Sequence, residues 1–129
     1  MSVVNKMRPL GKNEIETFLS RFERFVDSEI KSITVLSPTI LRILLGVQDS
    51  ALGFDWIDLS FELSNVSEAN LIDNSKLAYL DMTEGMSIVF EDNKFVFCYG
   101  DYSSIRGAKD SALFVICDSI KYEELPFSG

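Results

Sequence analysis

The sequence predicts an α+β fold: an N-terminal amphipathic helix packed on a mostly antiparallel, strongly curved sheet, or on a two-sheet β-sandwich, of about seven strands. Near the start, apolar residues recur at helical spacing, and about seven later stretches read as strands. No second helix follows that would connect parallel strands, so neighbouring strands are expected to run antiparallel. We predict a single domain over residues 1–129, because no linker, internal repeat or low-complexity tract divides the chain.

The helix is predicted over residues 13–26. Asn13 followed by Glu16 has the spacing of an N-cap with a capping box. The apolar positions of this stretch are Ile15, Phe18, Leu19, Phe22, Phe25 and Val26. They recur at the three- and four-residue steps of one helix face. A face this rich in phenylalanine is expected to lie on the sheet rather than in water.

Strands are predicted along the rest of the chain. They cover residues 28–37, 39–47, 54–63 and 66–72, the two arms of a hairpin within 86–100, and 112–125 as the longest single strand. The hairpin turns at Asp92 and Asn93, residue types that tolerate the positive φ of a tight turn. Residues 73–85 and 101–111 are expected to be connections, each with at most a short helical turn.

The two cysteines and the lack of long apolar runs bear on location. Cys98 and Cys117 both lie in apolar stretches, and we interpret them as buried thiols in a reducing compartment. The sequence leaves open whether the two lie side by side on adjacent strands. No stretch approaches the roughly 20 apolar residues of a membrane helix. The opening residues have no apolar core of the signal-peptide kind, so we expect a cytoplasmic protein.

Charge is distributed unevenly. Residues 1–48 hold seven Lys and Arg against five acids, and residues 49–129 hold five against fifteen, for a net charge of −8 overall. A surface this acidic repels phosphate backbones and anionic lipid, so we expect no nucleic-acid and no membrane binding. Such a surface attracts a basic protein partner, although the same acidity also serves solubility alone.

The chain lacks the residues on which most enzyme active sites depend. It contains no histidine, which removes the commonest general base and the imidazole metal ligands. Two isolated cysteines do not make a zinc site, and no phosphate-binding glycine motif is present. The carboxylates of Asp55 and Asp58 should face opposite sides of a strand, and those of Glu91 and Asp92 lie at a turn. We therefore predict a protein that is not an enzyme and has no cofactor and no metal.

The first candidate binding residues lie in the stretch GFDWIDLSFEL. Its alternation places Trp56, Asp58 and Glu62 on the polar side of the strand. In one interpretation, Phe54 and Trp56 lie beneath the phenylalanines of the helix or pack at the rim of the sheet. In the other, Trp56 is an exposed aromatic anchor that Asp58 and Glu62 surround with negative charge.

The second candidate is the stretch CYGDYSS. It places Tyr99, Asp101 and Tyr102 at the end of a strand, where loops commonly carry recognition. The alternative is that the tyrosines only pack against the strand end. We predict that both sets bind the partner.

Residues 25–72 resemble a recurring arrangement in small bacterial proteins of the toxin-immunity type. In that arrangement a helix leads into a first strand of the Asp-x-Glu-Ile type, here at Asp27, and a second strand ends in an apolar run. The third strand has the form L-x-F-x-x-x-x-V, here Leu59, Phe61 and Val66. Such proteins bind a cognate toxin and block it, and the resemblance implies the same role here. The family often places a histidine before the Asp; Val26 stands there in this chain, so no role of that histidine carries over.

These observations favour a non-catalytic cytoplasmic binding protein. In this hypothesis it is an immunity-type antagonist that occludes a basic partner protein, such as a nuclease toxin, through an acidic β surface. The alternative is a small-molecule-binding, β-barrel-like protein whose curved sheet encloses an apolar pocket. A third hypothesis, an enzyme that uses carboxylates alone, requires two acids within about 5–10 Å in one cleft.

Overall fold

The computed structural model describes residues 6–129. Along the chain the strands are β1 (Arg8–Pro9), β2 (Glu29–Ser37), β3 (Ile40–Asp49), β4 (Asp55–Ser64), β5 (Glu68–Asn70), β6 (Met86–Glu91), β7 (Lys94–Tyr99), β8 (Phe114–Cys117) and β9 (Ser119–Pro126). The helices are α1 (Ile15–Arg21), α2 (Ile105–Ala108) and three 3-10 helices at Glu23–Phe25, Ser50–Leu52 and Asn74–Tyr79. Residues 1–5, which open the stretch without a signal-peptide core, lie outside the described range.

The described strands form two antiparallel sheets. Sheet A has the order β1-β9-β4-β3-β2, and sheet B has the order β5-β8-β7-β6. All neighbours within each sheet pair in antiparallel fashion. The predicted α+β class with antiparallel strands is confirmed, with nine strands among the described residues instead of about seven. None of the helices in residues 6–129 has the length and apolar character needed to cross a membrane.

The alternating side chains of β4 form the centre of the core. Four residues of this strand point to one face and are buried: Ile57, Leu59, Phe61 and Leu63. The Phe61 ring lies 4.9 Å, centroid to centroid, from the ring of Phe97 in sheet B. Because successive residues of a strand point to opposite faces, the alternation in the sequence becomes one apolar face shared by both sheets. Each side chain buried there contributes about 1.5–3 kcal/mol.

The helix is shorter than the predicted range of 13–26. It ends at Arg21, and the 3-10 turn Glu23–Phe25 follows with positive φ values at all three residues. The helical spacing of apolar residues continues across this break, which is why the sequence predicts one long helix. Asn13 is not the N-cap; that position is Glu14, whose Oε1 accepts a hydrogen bond from the backbone N–H of Gly11 at 2.9 Å.

Two phenylalanines, Phe18 of α1 and Phe25 of the left-handed turn after it, contact one ring of sheet A. The ring centroids of Phe18 and Phe25 lie 6.0 Å and 5.9 Å from that of Phe61. The Phe18 ring also lies 4.7 Å from the ring of Tyr122. Edge-to-face contacts of this kind add about 0.5–1.5 kcal/mol each to the free energy gained by burial.

Two predictions about the strands after residue 85 have different outcomes. The hairpin turns at Asp92 and Asn93 as predicted, with φ values of 52° and 61°. The prediction of one long strand over 112–125 is wrong. The run is interrupted at Asp118, whose backbone N–H donates to the carbonyl of Ser64 at 3.1 Å. The part before the break belongs to sheet B and the part after it to sheet A.

The cysteines are buried free thiols on adjacent strands, but they are not opposite each other. Cys98 pairs with Phe114 in the register of β7 and β8, and Cys117 pairs with Phe95. The two side chains also belong to different apolar clusters, Cys117 to the core between the sheets and Cys98 to the cluster that includes Ala108 of α2. A disulfide between them would require the register to change.

We expect both thiols to be unreactive in the native protein. Burial raises the pKa of Cys98 and of Cys117 to about 12. At about pH 8 almost no thiolate is present, and a thiol reagent in solution has no access to the buried sulfur atoms. Ellman's reagent should therefore label neither thiol in the folded protein and both in concentrated guanidinium chloride. Labelling of either thiol within minutes under native conditions would contradict this burial.

The exposed edge of sheet A at β2 is closed by a side chain. The Asn74 Oδ1 atom accepts a hydrogen bond from the backbone N–H of Ile33 at 2.8 Å, and its Nδ2 donates to the Ile33 carbonyl at 3.1 Å. The amide thus occupies both backbone groups that a further strand would use at this residue. The 3-10 helix that carries Asn74 is the short helical turn predicted within residues 73–85.

Candidate functional site

Trp56, Asp58 and Glu62 share the face of β4 opposite to Phe61, and we call this surface the Trp56 face. Trp56 is 40% exposed and Phe54 is 49% exposed. The interpretation that both rings lie beneath the phenylalanines of the helix is therefore wrong. Trp56 instead contacts Phe127, with 5.6 Å between the ring centroids. The sequence gives no signal for this contact, because Phe127 follows the last strand and reaches Trp56 only through the pairing of β9 with β4.

Asp58 is not an exposed acid. It is 3% exposed, and its Oδ1 accepts a hydrogen bond from Lys31 Nζ at 2.7 Å. The hydroxyl of Ser128 donates to Oδ2 at 2.7 Å. Burial acts to raise the pKa of Asp58, but the hydrogen bonds from Lys31 and Ser128 outweigh it and hold the pKa below its usual value. Asp58 is therefore a buried, charged and paired group.

Glu62 is also paired. The register places it opposite Arg42, and its Oε1 accepts a hydrogen bond from Arg42 Nη2 at 3.3 Å. Since Lys31 of β2 pairs with Asp58 and Arg42 of β3 pairs with Glu62, the acidic surround expected for Trp56 is absent at these positions. The predicted acids therefore do not make the Trp56 face negative around Trp56, whose exposed neighbour is the Phe127 ring.

Two residues of the second predicted set, Tyr99 at the end of β7 and Tyr102 after it, line a cleft of about 310 Å³, which we call the Tyr99 cleft. Its walls are formed by Asp81, Thr83, Glu84, Tyr99, Gly100, Tyr102 and Ala112. The Tyr99 hydroxyl donates a hydrogen bond to the backbone carbonyl of Asp81. The backbone N–H of Gly100 donates to the Gly85 carbonyl at 2.9 Å. These two bonds join the end of β7 to the turn before β6.

The Tyr99 cleft is negatively charged. Two carboxylates line it, and neither lysine nor arginine is among the described residues of its wall. Hydrogen bonds from Thr83 hold the pKa of Asp81 below its usual value, so this group is ionised at neutral pH. Burial, together with the charges of Asp81 and Glu84, raises the pKa of Tyr99. The phenol therefore stays protonated.

Two further exposed acids, Asp101 and Asp27, are joined through the backbone to segments that line the Tyr99 cleft. Asp101 is exposed and stands between the lining residues Gly100 and Tyr102. Asp27 is exposed as well, and its backbone N–H donates to the carbonyl of Met82 at 2.9 Å. Carboxylates beside tyrosine rings form a suitable environment for an ammonium or guanidinium group, which gains both charge-assisted hydrogen bonds and cation–π contacts.

The structure separates the two predicted sets and extends one of them. Trp56, Asp58 and Glu62 lie on sheet A, whereas Tyr99, Asp101 and Tyr102 lie at one end of sheet B. Sequence reasoning missed Asp81 and Glu84, which it placed in an irregular connection. The signal that was available is local: an Asp followed two residues later by Thr favours a side-chain-capped turn, and that turn presents its acids to the next strand end.

Other clefts on the described surface differ from the pocket that a small-molecule protein requires. Three of them have volumes of about 420, 260 and 380 Å³, and lysine, arginine or glutamate side chains line each one. Each of the three is an open groove with charged side chains in its wall, whereas a small-molecule pocket encloses most of its ligand. Within residues 6–129 no group of three or more acids or cysteines has the geometry to hold a metal ion.

No family model, no curated protein and no solved structure matches the chain.

Proposed function

We propose that the protein is a non-catalytic binding protein that captures a basic partner protein at the Tyr99 cleft and thereby occludes it. The observation that carries this proposal is the composition of the cleft: Asp81, Glu84 and two tyrosines line a volume of about 310 Å³ without a cation in the described wall. An arginine or lysine of a partner fits this chemistry, because the carboxylates pair with its charge and the rings accept it over their faces.

The charge of the whole chain supports the same proposal. The net charge of −8 attracts a basic partner from a distance and raises the rate of encounter, while the cleft supplies the specific contacts. In this mechanism the protein inhibits by covering the partner's surface and carries out no reaction. The resemblance of residues 25–72 to toxin-immunity proteins leads us to propose a basic toxin, such as a nuclease, as that partner.

We also propose a cytoplasmic location. Both cysteines are buried and unpaired in this fold, and their positions do not permit a disulfide between them. Free thiols of this kind suit a reducing compartment.

The test of the proposed function removes three charges from the Tyr99 cleft without removing side chains. In the cleft variant, the acids Asp81, Glu84 and Asp101 are replaced by their amides. The probe is a tetra-arginine peptide, and its dissociation constant is measured at several salt concentrations. We expect the dissociation constant to rise about tenfold, since each partly exposed ion pair contributes about 0.5 kcal/mol. The salt dependence of binding should become weaker as well.

A matched control variant distinguishes binding at the Tyr99 cleft from nonspecific attraction by the acidic surface. It replaces three exposed acids that do not line the cleft, Asp55, Asp73 and Asp92, by asparagine, and so carries the same net charge as the cleft variant. We expect it to bind the peptide within about twofold of the unmodified protein, as distant exposed charges are screened. If both variants weaken binding equally, no one surface is the binding site and the proposal is wrong. Binding of the same two variants is then measured with the protein encoded by the adjacent gene in place of the peptide.

A further inference from the structure

The Trp56 face contains a slot whose floor is a glycine. Gly46 lies opposite Asp58 in the register of β3 and β4. A Cβ atom at Gly46 would lie 3.1 Å from the Lys31 Cε atom and 3.2 Å from the Phe127 Cε1 atom. Both distances are shorter than ordinary carbon contacts. The missing side chain therefore makes the space in which the Phe127 ring lies.

The walls of this slot fit an aromatic ring. Trp56 forms one wall, 5.6 Å from the Phe127 ring between centroids. The Lys31 Nζ atom lies 4.4 Å from the centre of the same ring, within the range of a cation–π contact. The ring is thus held by an indole on one side, a cation over its face and the bare backbone of Gly46 beneath it.

The residue after the ring makes its own specific contacts. The Ser128 hydroxyl donates to Asp58 Oδ2 at 2.7 Å, and the Ser128 backbone N–H donates to the same oxygen at 3.3 Å. The Lys31 Nζ atom donates to the Ser128 hydroxyl at 2.9 Å and to Asp58 Oδ1 at 2.7 Å. A buried carboxylate on the outer face of a sheet is costly unless it is paired. This site is therefore a built receptor for a hydroxyl group beside a ring.

The segment that fills the slot is itself largely outside the core. Phe127 is 40% exposed, and Ser128 and Gly129 are exposed. The segment follows Pro126, where β9 ends. Because it is held mainly by one ring and a few hydrogen bonds, a segment of the same chemistry from another molecule can replace it. The cis segment competes at the millimolar effective concentration that is typical of a short tether.

We propose that the slot over Gly46 is a recognition site for an aromatic residue followed by serine or threonine in an extended segment of a partner, and that Phe127 and Ser128 occupy it in cis as a competitor. The proposal does not depend on the Tyr99 cleft, which belongs to the other sheet. A partner segment gains access by displacing the cis ring, so its apparent affinity is lower than its affinity for the empty slot.

The experiment uses the full chain with Phe127→Ala, which empties the ring position and leaves the slot intact. The probe is a peptide with the sequence of residues 125–129, Leu-Pro-Phe-Ser-Gly, acetylated at its N-terminus. Binding is followed by the fluorescence of Trp56, the only tryptophan of the chain. We expect the Phe127→Ala protein to bind the peptide at least about tenfold more tightly than the unmodified protein does. A peptide with alanine in place of phenylalanine should not bind.

Two further variants complete the test. Adding Gly46→Val to the Phe127→Ala protein fills the slot, so we expect peptide binding to be lost while thermal unfolding remains cooperative. Ser128→Ala keeps the Phe127 ring but removes the hydroxyl that bonds to Asp58. We expect the peptide to bind this protein more tightly than the unmodified one. It also serves as the test protein if Phe127→Ala is unstable. Equal peptide affinity for the emptied and unmodified proteins, or binding that survives Gly46→Val, would overturn the proposal.

Discussion

Replacement of Gly85 by alanine should lower the free energy of unfolding by about 4 kcal/mol. Gly85 has a φ of +69°, and a Cβ atom there would lie 2.1 Å from the carbonyl oxygen of Arg24 and 2.9 Å from the backbone nitrogen of Val26. A left-handed residue with a Cβ costs about 1–2 kcal/mol, and forced overpacking adds about 1–3 kcal/mol. Both neighbouring atoms belong to the backbone, so the 3-10 turn after α1 has to move.

Gly53→Ala is the control for this substitution. Gly53 has a similar φ of +65°, but no heavy atom lies within 4 Å of the position of a Cβ. Gly53→Ala should therefore lower the free energy of unfolding only by the cost of a Cβ atom at a left-handed backbone conformation, about 1 kcal/mol. Urea unfolding followed by circular dichroism measures both values. Equal losses in the two variants would mean that the close approach of Gly85 to the α1 turn does not exist in solution.

The second large effect is expected for Arg21→Ala, which should lower the free energy of unfolding by about 3 kcal/mol. The Arg21 Nε and Nη2 atoms donate to the two oxygens of Asp49 at 2.9 Å and 2.6 Å. Asp49 is fully buried, and Nη2 also donates to Glu124. These bonds join the end of α1 to β3 and β9. Without the guanidinium, the Asp49 carboxylate stays buried with only the backbone N–H of Ala51 as a described hydrogen-bond donor.

An exposed pair of the same residue types provides the control. Arg42 pairs with Glu62 across β3 and β4, but its side chain is 45% exposed. Arg42→Ala should therefore change the free energy of unfolding by at most about 1 kcal/mol. The hydrogen bonds from Arg21 are also the main reason that the pKa of Asp49 is low. Arg21→Ala should raise this pKa, and a native-state carboxyl titration that finds it unchanged would show that the pair is not formed.

The sequence predicts those parts of the fold that depend on local pattern. The alternation of Ile57, Leu59 and Phe61 determines which side of β4 is buried, and the turn at Asp92 and Asn93 follows from backbone preference alone. The end of α1 was not predictable in this way. The apolar spacing runs on to Val26, whereas the backbone turns left-handed at Glu23–Phe25 and packs closely against Gly85, a residue distant in sequence.

The break in the last strand depends on contacts far away in the chain. Residues 112–125 are continuous in apolar pattern, yet Asp118 bonds to Ser64 and the strand passes from one sheet to the other. A single-sequence pattern contains no information about which sheet a strand joins. The relative position of the two cysteines was undetermined for the same reason, since it depends on the register of β7 with β8.

The candidate binding residues illustrate the same limit. The pattern correctly places Trp56 and Asp58 on one side of the strand, but their environment comes from Lys31 and Phe127, which are distant in sequence. The sequence pattern predicts an exposed acid at Asp58, whereas in the fold its carboxylate is buried and paired with Lys31. The Tyr99 cleft gains Asp81 from a segment that has no β or helical pattern at all.

The two hydrogen bonds between Asn74 and Ile33 have a consequence for the tendency of the protein to aggregate. The outer strand of a β-sheet is the place where identical chains add to one another and begin fibrils. Here the outer strand β2 continues to Val35 and Leu36, which are both exposed and apolar and would favour such addition. One carboxamide halfway along that margin interrupts the row of free amides and carbonyls, so a second chain finds no uninterrupted template there.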